Sequence, residues 1–327
     1  MTPTSSDSTK HLNNNESAQF LGHPLGLKTL FFTEMWERMS YYGMRALLVL
    51  FMTATLQEGG LGLTVISATA IYGLYTGFVY FMGLPGGWIA DRLIGGQKAV
   101  WYGGIIIMIG HIILAIPNDK TFFVGLMFVI AGTGLLKPNI SALVGQLYSD
   151  NDTRQDSGYV LYYMGINIGA IIGYTATGLL STHMGWHWAF GAAAVGMAFG
   201  LIQYKLTLNN LAGVAELPPS PLSARGKKIS WSIILFVLVL LTGITTLVFQ
   251  GQLTLDARGL AENAAIIFTA IFIIYYAVIY FNGNLTDNEK KKLLALLLVC
   301  IASACFWAGF EQAGSSLNLF AKDYTDR

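Results

Sequence analysis

Apolar residues run through this chain in blocks of about twenty or more, the length that crosses a bilayer as one helix. The blocks cover residues 27–55, 65–90, 99–117, 121–148, 156–182, 186–208, 230–251, 263–282 and 293–321, so nine membrane-spanning helices are expected. The stretches between them carry turn chemistry: Glu58-Gly59-Gly60, Gly95-Gly96, Pro117-Asn118-Asp119, Ser149 to Asp156 and Leu217-Pro218-Pro219. Residues 1–24 are expected to be a disordered cytoplasmic tail. The stretch from Met1 to Gln19 is polar and rich in Ser, Thr and Asn, without the charged start and apolar core of a signal peptide.

The first block breaks its own pattern. Glu34, Glu37, Arg38, Tyr41, Tyr42 and Arg45 interrupt an otherwise apolar segment. At about 100° per residue, these six fall on one stripe of roughly 140°. A charge at the bilayer centre costs about 2.5–3.5 kcal/mol on insertion scales, so four facing lipid would cost on the order of 10 kcal/mol. They are therefore expected to face the bundle interior, pair with each other or line a wet cavity. Intramembrane charges of this kind mark ion or substrate pathways.

Composition agrees with a polytopic membrane protein: 54% hydrophobic, 11% charged, 13% aromatic, 37 glycines. A net charge of +1, with no basic run longer than Lys290–Lys292, leaves no nucleic-acid footprint. Placing the N-terminus in the cytoplasm puts Lys28, Arg92, Lys98, Arg154, Lys205, Arg225, Lys227, Lys228 and Lys290–Lys292 in cytoplasmic junctions. Lys120 and Arg258, and after the last helix Lys322 and Arg327, then lie on the opposite side, an asymmetry that the positive-inside rule favours.

The domain reading follows: a six-helix bundle over 25–210, a cytoplasmic linker over 211–229, an inserted two-helix hairpin over 230–285, and over 290–327 the first helix of a second bundle. The hairpin helices lack charge on their apolar faces. With the hairpin set aside, the first helix of each triplet carries the intramembrane charge: Glu34 to Arg45, then Lys137, then Glu311. Repeat-built transporters place their sites at such repeat interfaces. A missing C-terminal half is expected, because nine helices leave the second set incomplete.

Each motif has a chemical reading. Glu34 and Glu37 lie one turn apart and can share or pass a proton, while Arg38, four residues after Glu34, can hold one of them ionised. Gly132-Thr-Gly-Leu-Leu-Lys137-Pro138-Asn139 sets a lysine in mid-membrane beside a proline that removes a backbone bond and bends the helix. Gly87-Trp-Ile-Ala-Asp91-Arg92 ends the second span, as a charge-relay clamp between helices or a plain loop. Phe306-Trp307-Ala-Gly-Phe310-Glu311 needs a cationic partner for its acid, with Arg45 the leading candidate. Gly165, Gly169 and Gly173 make a small-residue face for close helix packing. Asn167 on that helix bonds a ligand or a neighbouring helix. His183 and His187 flank Gly185 in a junction without a third metal ligand nearby, and His111 is expected as a satisfied core histidine. Cys300 and Cys305 are expected to be packing residues. No nucleophile elbow, metalloprotease helix or phosphate-binding loop is present, so no enzyme is expected.

The Glu-x-x-Glu-Arg-x-x-Tyr-Tyr-Gly, Gly-Thr-Gly-x-x-Lys-Pro-Asn and Phe-Trp-x-x-x-Glu-Gln runs resemble the proton-dependent oligopeptide transporter (POT/PTR) family of the major facilitator superfamily. The likeness covers roughly residues 25–210 and 290–321. It implies two six-helix bundles, with the two-helix hairpin that bacterial members insert between them. By that resemblance Glu34, Glu37, Arg38 and Lys137 correspond to the proton-coupling set. Arg45 and Lys137 correspond to the pocket for a peptide's carboxylate. Tyr41, Tyr42, Tyr80 and Trp307 line the pocket, and Asn167 contacts peptide backbone or amine. Glu311 is the gating acid paired with Arg45. Gly87, Asp91 and Arg92 form the conformational motif. Met39 replaces a phenylalanine common in the family, and the second span lacks the histidine of animal members.

The function these readings imply is proton-coupled symport of di- and tripeptides into a bacterial cell, across the inner membrane, by alternating access. Other anionic or zwitterionic solutes on the same fold, or a receptor or scaffold without transport, remain as alternatives. The expected partners are a peptide, protons and the lipid bilayer, with no nucleic acid and no cofactor beyond the proton as coupling ion.

Overall fold

Backbone N–H and C=O groups find no water inside hydrocarbon, so each crossing segment must satisfy its own, and a helix does this. The computed structural model describes residues 19–325. Its helices are α1 (Leu25–Thr53), α2 (Val65–Phe81), α3 (Gly83–Ile89), α4 (Gly96–Leu114), α5 (Asp119–Gly145), α6 (Gln155–His183), α7 (Trp186–Leu206), α8 (Ala224–Phe249), α9 (Ala257–Asn282), α10 (Asp287–Phe310) and the short α11 (Ser316–Tyr324). Among the described residues, eight helical runs are long and apolar enough to cross a bilayer. One of them joins α2, α3 and a five-residue π-helical turn, Ala90–Ile94, into Val65–Ile94. α1 makes the ninth by length: its 29 residues reach about 43 Å, and only its charged side chains set it apart.

Several boundaries move from the expected ones. α8, α9 and α10 each start about six residues early because polar caps open them. Ser223 accepts from the Gly226 N–H, Asp256 from Arg258 and Gly259, and Thr286 and Glu289 form a capping box. The basic residues Arg225, Lys227 and Lys228, assigned to the linker, ride on the first five residues of α8. α10 stops at Phe310 instead of running to 321. Glu311–Gly314 form a 3-10 turn, and Ser315 (φ −134°, ψ −102°) breaks the helix before α11.

The tail expected over 1–24 falls outside the described residues for 1–18. Residues 19–24 are ordered, as paired strands β1 (Gln19–Phe20) and β2 (His23–Pro24). His23 Nδ1 lies 3.0 Å from the Tyr148 hydroxyl, and Arg154 donates to the Gly22 carbonyl at 3.0 Å. Arg154 also donates to Asp152 (2.7 Å) and holds its carboxyl at about 2, below the usual range. Burial pushes the Tyr148 hydroxyl up to about 12.

The described residues divide into two packing units. The first takes those up to Arg45 and Gly77–Gln252; the second takes Ala46–Thr76 and those from Leu253 onward. α8 and α9, read together as an inserted hairpin, fall in different units.

In the first unit, α4 and α5 approach backbone to backbone. A Cβ on Gly103 would lie 2.8 Å from the Gly132 carbonyl, and one on Gly125 2.9 Å from that of Gly110. Lipid tails are as apolar as leucine, so such close packing, more than apolar burial, holds membrane helices together. The core draws Leu27 and Leu30 from α1, Val100 and Ile107 from α4, Leu136 and Ile140 from α5, Tyr162 from α6 and Met197 and Leu201 from α7. α8 is tied to α5 at one end, where Lys120 donates to the Phe249 carbonyl at 3.0 Å and sits 5.8 Å over its ring. This caps the negative end of the α8 dipole.

In the second unit, the Leu61 and Leu63 amides bond the Phe51 and Met52 carbonyls at the end of α1, at 3.1 and 2.8 Å. Asn318 of α11 donates to the Ala46 carbonyl at 2.8 Å. The Tyr276 hydroxyl of α9 donates to the Leu293 carbonyl of α10.

Candidate functional site

The small-residue face of α6 fixes the charged turn of α1. Cβ atoms on Gly165, Gly169 and Gly173 would lie 3.0, 2.2 and 2.4 Å from the carbonyl oxygens of Phe31, Met35 and Met39. Thr177 continues the contact, donating to the Gly43 carbonyl at 3.1 Å. The backbones of α1 and α6 therefore touch along the stretch that holds Glu34, Glu37 and Arg38.

All three charged residues are buried, at 2%, 0% and 2% exposure. Arg38 Nε lies 3.0 Å from Glu34 Oε1 and pairs still more closely with Glu37 Oε2. The i, i+4 spacing pointed to the Glu34 pair; the structure adds Glu37, so two carboxylates share one guanidinium. Glu34 Oε2, Glu37 Oε1 and Arg38 Nη2 meet no hydrogen-bond partner among the described residues. The ionised trio carries −1, and a single proton makes it neutral. A buried net charge is expensive in a low-dielectric site.

Aromatic rings wrap the cation. Arg38 Cζ lies 4.9 Å from the Tyr41 ring centre and 6.0 Å from that of Tyr42, and Arg45 Cζ also lies 6.0 Å from the Tyr42 ring centre. Tyr42 in turn contacts Tyr174 at 5.8 Å. The stripe expected from helical phase is thus a physical one, with Tyr41 and Arg45 also buried.

Lys137 lies half-buried on α5, its ammonium 4.3 Å from the ring centre of Tyr80. α5 runs through Pro138 without interruption. Pro138 has no N–H for the Gly134 carbonyl four residues back. That carbonyl faces Gly86 of α3, where an added Cβ would sit 2.0 Å from it. Asn139 closes the contact, donating to the Gly86 carbonyl at 3.3 Å and to Leu135 at 2.6 Å. The glycine that the contact demands is Gly86. Gly87, singled out in the sequence motif, has open space around it.

The charge-relay clamp expected of Asp91 and Arg92 takes another form. Neither residue joins an ion pair among the described residues; both bind the chain that follows α7. Ser220 N–H donates to the Asp91 carbonyl, Leu222 N–H to that of Arg92, and Arg92 Nη1 to that of Ser220, each at 3.2 Å. The π-helical turn supplies the geometry, since its widened ring re-aims carbonyls that an α-helix would bond internally.

Asn167 is exposed on α6 and donates to the Tyr163 carbonyl of its own helix at 3.0 Å. In the second unit, Trp307 packs between Phe306 (5.6 Å) and Phe310 (5.2 Å). Glu311 sits where α10 gives way to its 3-10 turn. The Tyr72 hydroxyl lies 3.5 Å from its Oε2 and 3.4 Å from its carbonyl oxygen, a neighbour that sequence reasoning missed. Arg45 belongs to the other unit. His111 is fully buried as expected, but neither ring nitrogen has a partner among the described residues. His187 reaches the Leu114 carbonyl at 3.4 Å, a junction contact.

Membrane-length apolar helices that enclose a buried charge cluster define a multi-pass membrane protein. The model of the POT family (PTR2) matches residues 97–327, and the chain belongs to that family. It is 39% identical to a peptide transporter of Yersinia enterocolitica, over 94% of this chain and 62% of that protein. It is 37% identical to a di-/tripeptide transporter of Lactococcus lactis, over 96% of this chain and 64% of that one. The chain thus spans somewhat under two thirds of these relatives. Among solved structures, a POT peptide transporter in complex with sulfate superposes with TM-score 0.87 at 39% identity, over 98% of this chain and 65% of that one. A POT transporter in complex with a thioalcohol-conjugated peptide gives 0.86 at 37% identity, covering 93% and 63%.

Proposed function

We propose that this chain works in a proton-coupled symporter that carries di- and tripeptides inward by alternating access, in the bacterial inner membrane with its N-terminus cytoplasmic. The carrying observation is the buried trio of Glu34, Glu37 and Arg38. Its odd charge is neutralised by one proton. Neutralisation loosens the hold on Arg38, and a two-state bundle can convert that change into a preference for one orientation. The peptide transporters named among its relatives support the substrate class. A zwitterion is costly to desolvate, so fixed charges must replace its water. Lys137 and Arg45 take the carboxylate. In the first unit Tyr41, Tyr42 and Tyr80 offer aromatic surface to the peptide and Asn167 meets its backbone or amine; in the second unit Trp307 offers the same kind of surface. Glu311 and Arg45 serve as the gate's charged residues, and Gly87, Asp91 and Arg92 as the conformational motif.

A second reading, another small zwitterion, draws on a similar POT structure in complex with 5-aminolevulinic acid (TM-score 0.86, 38% identity). The test is uptake of a labelled dipeptide into vesicles by the complete protein, with and without a proton gradient. Glu37→Gln keeps size and hydrogen bonding but mimics a permanently protonated acid. It should lose gradient-driven accumulation and keep peptide exchange. Full accumulation by this variant would remove Glu37 from coupling, and uptake indifferent to the gradient would end the symport reading.

A further inference from the structure

A cavity of about 490 Å³ with a mixed polar and apolar lining opens where α4 begins and α7 ends. Lys98, Trp101 and Tyr102 line it from α4, Lys205 from α7, and Asn209 and Glu216 from the chain beyond. None of these residues belongs to the proposed transport path. The cavity's wall is built by specific bonds. Gln97, itself 9% exposed, donates to the Leu211 and Val214 carbonyls at 2.6 and 2.7 Å. The Tyr204 hydroxyl donates to the Gln97 carbonyl at 3.0 Å, and Trp101 stacks on Tyr204 at 6.3 Å.

Into this fixed frame the two lysines bring charge without a carboxylate partner. Lys205 Nζ lies 5.4 Å over the Trp101 ring, and neither Lys98 nor Lys205 forms an ion pair among the described residues. The one acid, Glu216, is engaged by the Gly213 N–H at 2.7 Å. The lining therefore carries +1, with neither ammonium paired to a carboxylate among the described residues.

Height along the membrane identifies the occupant. Gly96 opens α4 and Leu206 closes α7, so both lysines stand at the edge of the apolar span. One turn deeper, about 5–6 Å along the axis, Tyr102 of α4 is 49% exposed and Ile202 of α7 is 56% exposed. Cations at the edge with exposed aromatic and aliphatic side chains just inside match the boundary between headgroups and acyl chains. Basic pockets between helices at this level suit phosphate-bearing anionic lipids.

We propose that this cavity binds the phosphate of an anionic phospholipid, with Lys98 and Lys205 on the phosphate and Trp101 and Tyr102 against the upper acyl chain. The proposal does not depend on the transported substrate. The test uses the complete protein in detergent micelles, with lipid retention read by native mass spectrometry. Phosphatidylglycerol should be retained at least about tenfold better than phosphatidylcholine, and Lys98→Gln with Lys205→Gln should abolish that preference. Glu216→Gln removes the opposing charge and keeps an acceptor for Gly213, so it should raise retention about two- to threefold; it stands as a second variant should the double one misfold. Equal retention of both lipids, or an unchanged preference in the double variant, overturns the proposal. So does displacement of phosphatidylglycerol by millimolar inorganic phosphate, which would assign the cavity to the soluble ion.

Discussion

Gly169→Ala puts the packing account of the α1–α6 contact to a direct test. A Cβ at this position would sit 2.2 Å from the Met35 carbonyl oxygen, 3.0 Å from the Met39 amide and 3.1 Å from Arg38 Cβ, where ordinary contact begins near 3.4 Å. Two of these atoms are backbone and cannot rotate away. The helices must part by roughly an ångström, and overpacking of this kind costs about 1–3 kcal/mol. Gly178 on the same helix supplies the control, because nothing lies within 4 Å of its Cβ position. Gly178→Ala should be neutral or gain up to ~1 kcal/mol from helix propensity. In thermal unfolding of the detergent-solubilised protein, Gly169→Ala should melt several degrees below the parent and Gly178→Ala at or above it. Peptide uptake should fall with the first alone, since the displaced turn carries Arg38. If both variants melt and transport alike, the close backbone contact does not position the trio.

Three further outcomes follow from particular residues. Lys137→Ala should weaken binding of peptides with a free C-terminal carboxylate by roughly 10- to 150-fold, the equivalent of about 1.5–3 kcal/mol for a charge-assisted bond. Equal losses for C-terminally amidated peptides would move Lys137 off the carboxylate. His111→Leu removes a buried ring whose nitrogens have no partner among the described residues, so stability should rise by about 1 kcal/mol or more; a marked fall in melting temperature would show that an ordered water or a neighbour satisfies the ring. Asp152 is held at about 2 by hydrogen bonds from Arg154, against 3.8 for a free side chain. The folded value is the lower one, so its stabilisation is present above about 4 and lost as pH falls through 2. Arg154 also ties Gly22, so amides of residues 19–24 should exchange faster relative to α4 amides over that window. An unchanged ratio would uncouple the ion pair from the hairpin.

How far the sequence could be read depended on what each signal encodes. Apolar blocks report hydrocarbon length, so the eight crossing-length apolar runs among the described residues were legible, and α1 was legible as a long helix once helical phase gathered its charges on one face. The same signal cannot see the polar first turns of α8, α9 and α10, which lie at the membrane edge. The Thr286–Glu289 capping box was the available clue for α10. Charge spacing gave the Glu34–Arg38 pair but not Glu37, because residues one apart on a helix diverge and meet only by side-chain rotation. A glycine run such as Gly86-Gly87 does not tell which member faces a partner; the carbonyl freed by Pro138 decides it. Glu311 read as mid-helix because Gly314, Ser315 and Ser316 are weak breakers inside an apolar stretch.

Pro218, Pro219 and Pro221 suggest a slack tether after α7. Instead, residues 211–222 are stitched at Gln97, Asp91 and Arg92 through both backbone and side-chain bonds. A segment fastened at several points has no spare contour length. Insertions into it act like a wedge, and deletions drag on the π-helical turn. Fusion tags or fluorescent reporters placed there would disturb the membrane edge that they were meant to observe. Proteases should find this proline-rich stretch a poor substrate for its composition, as cleavage needs several bonds to open at once.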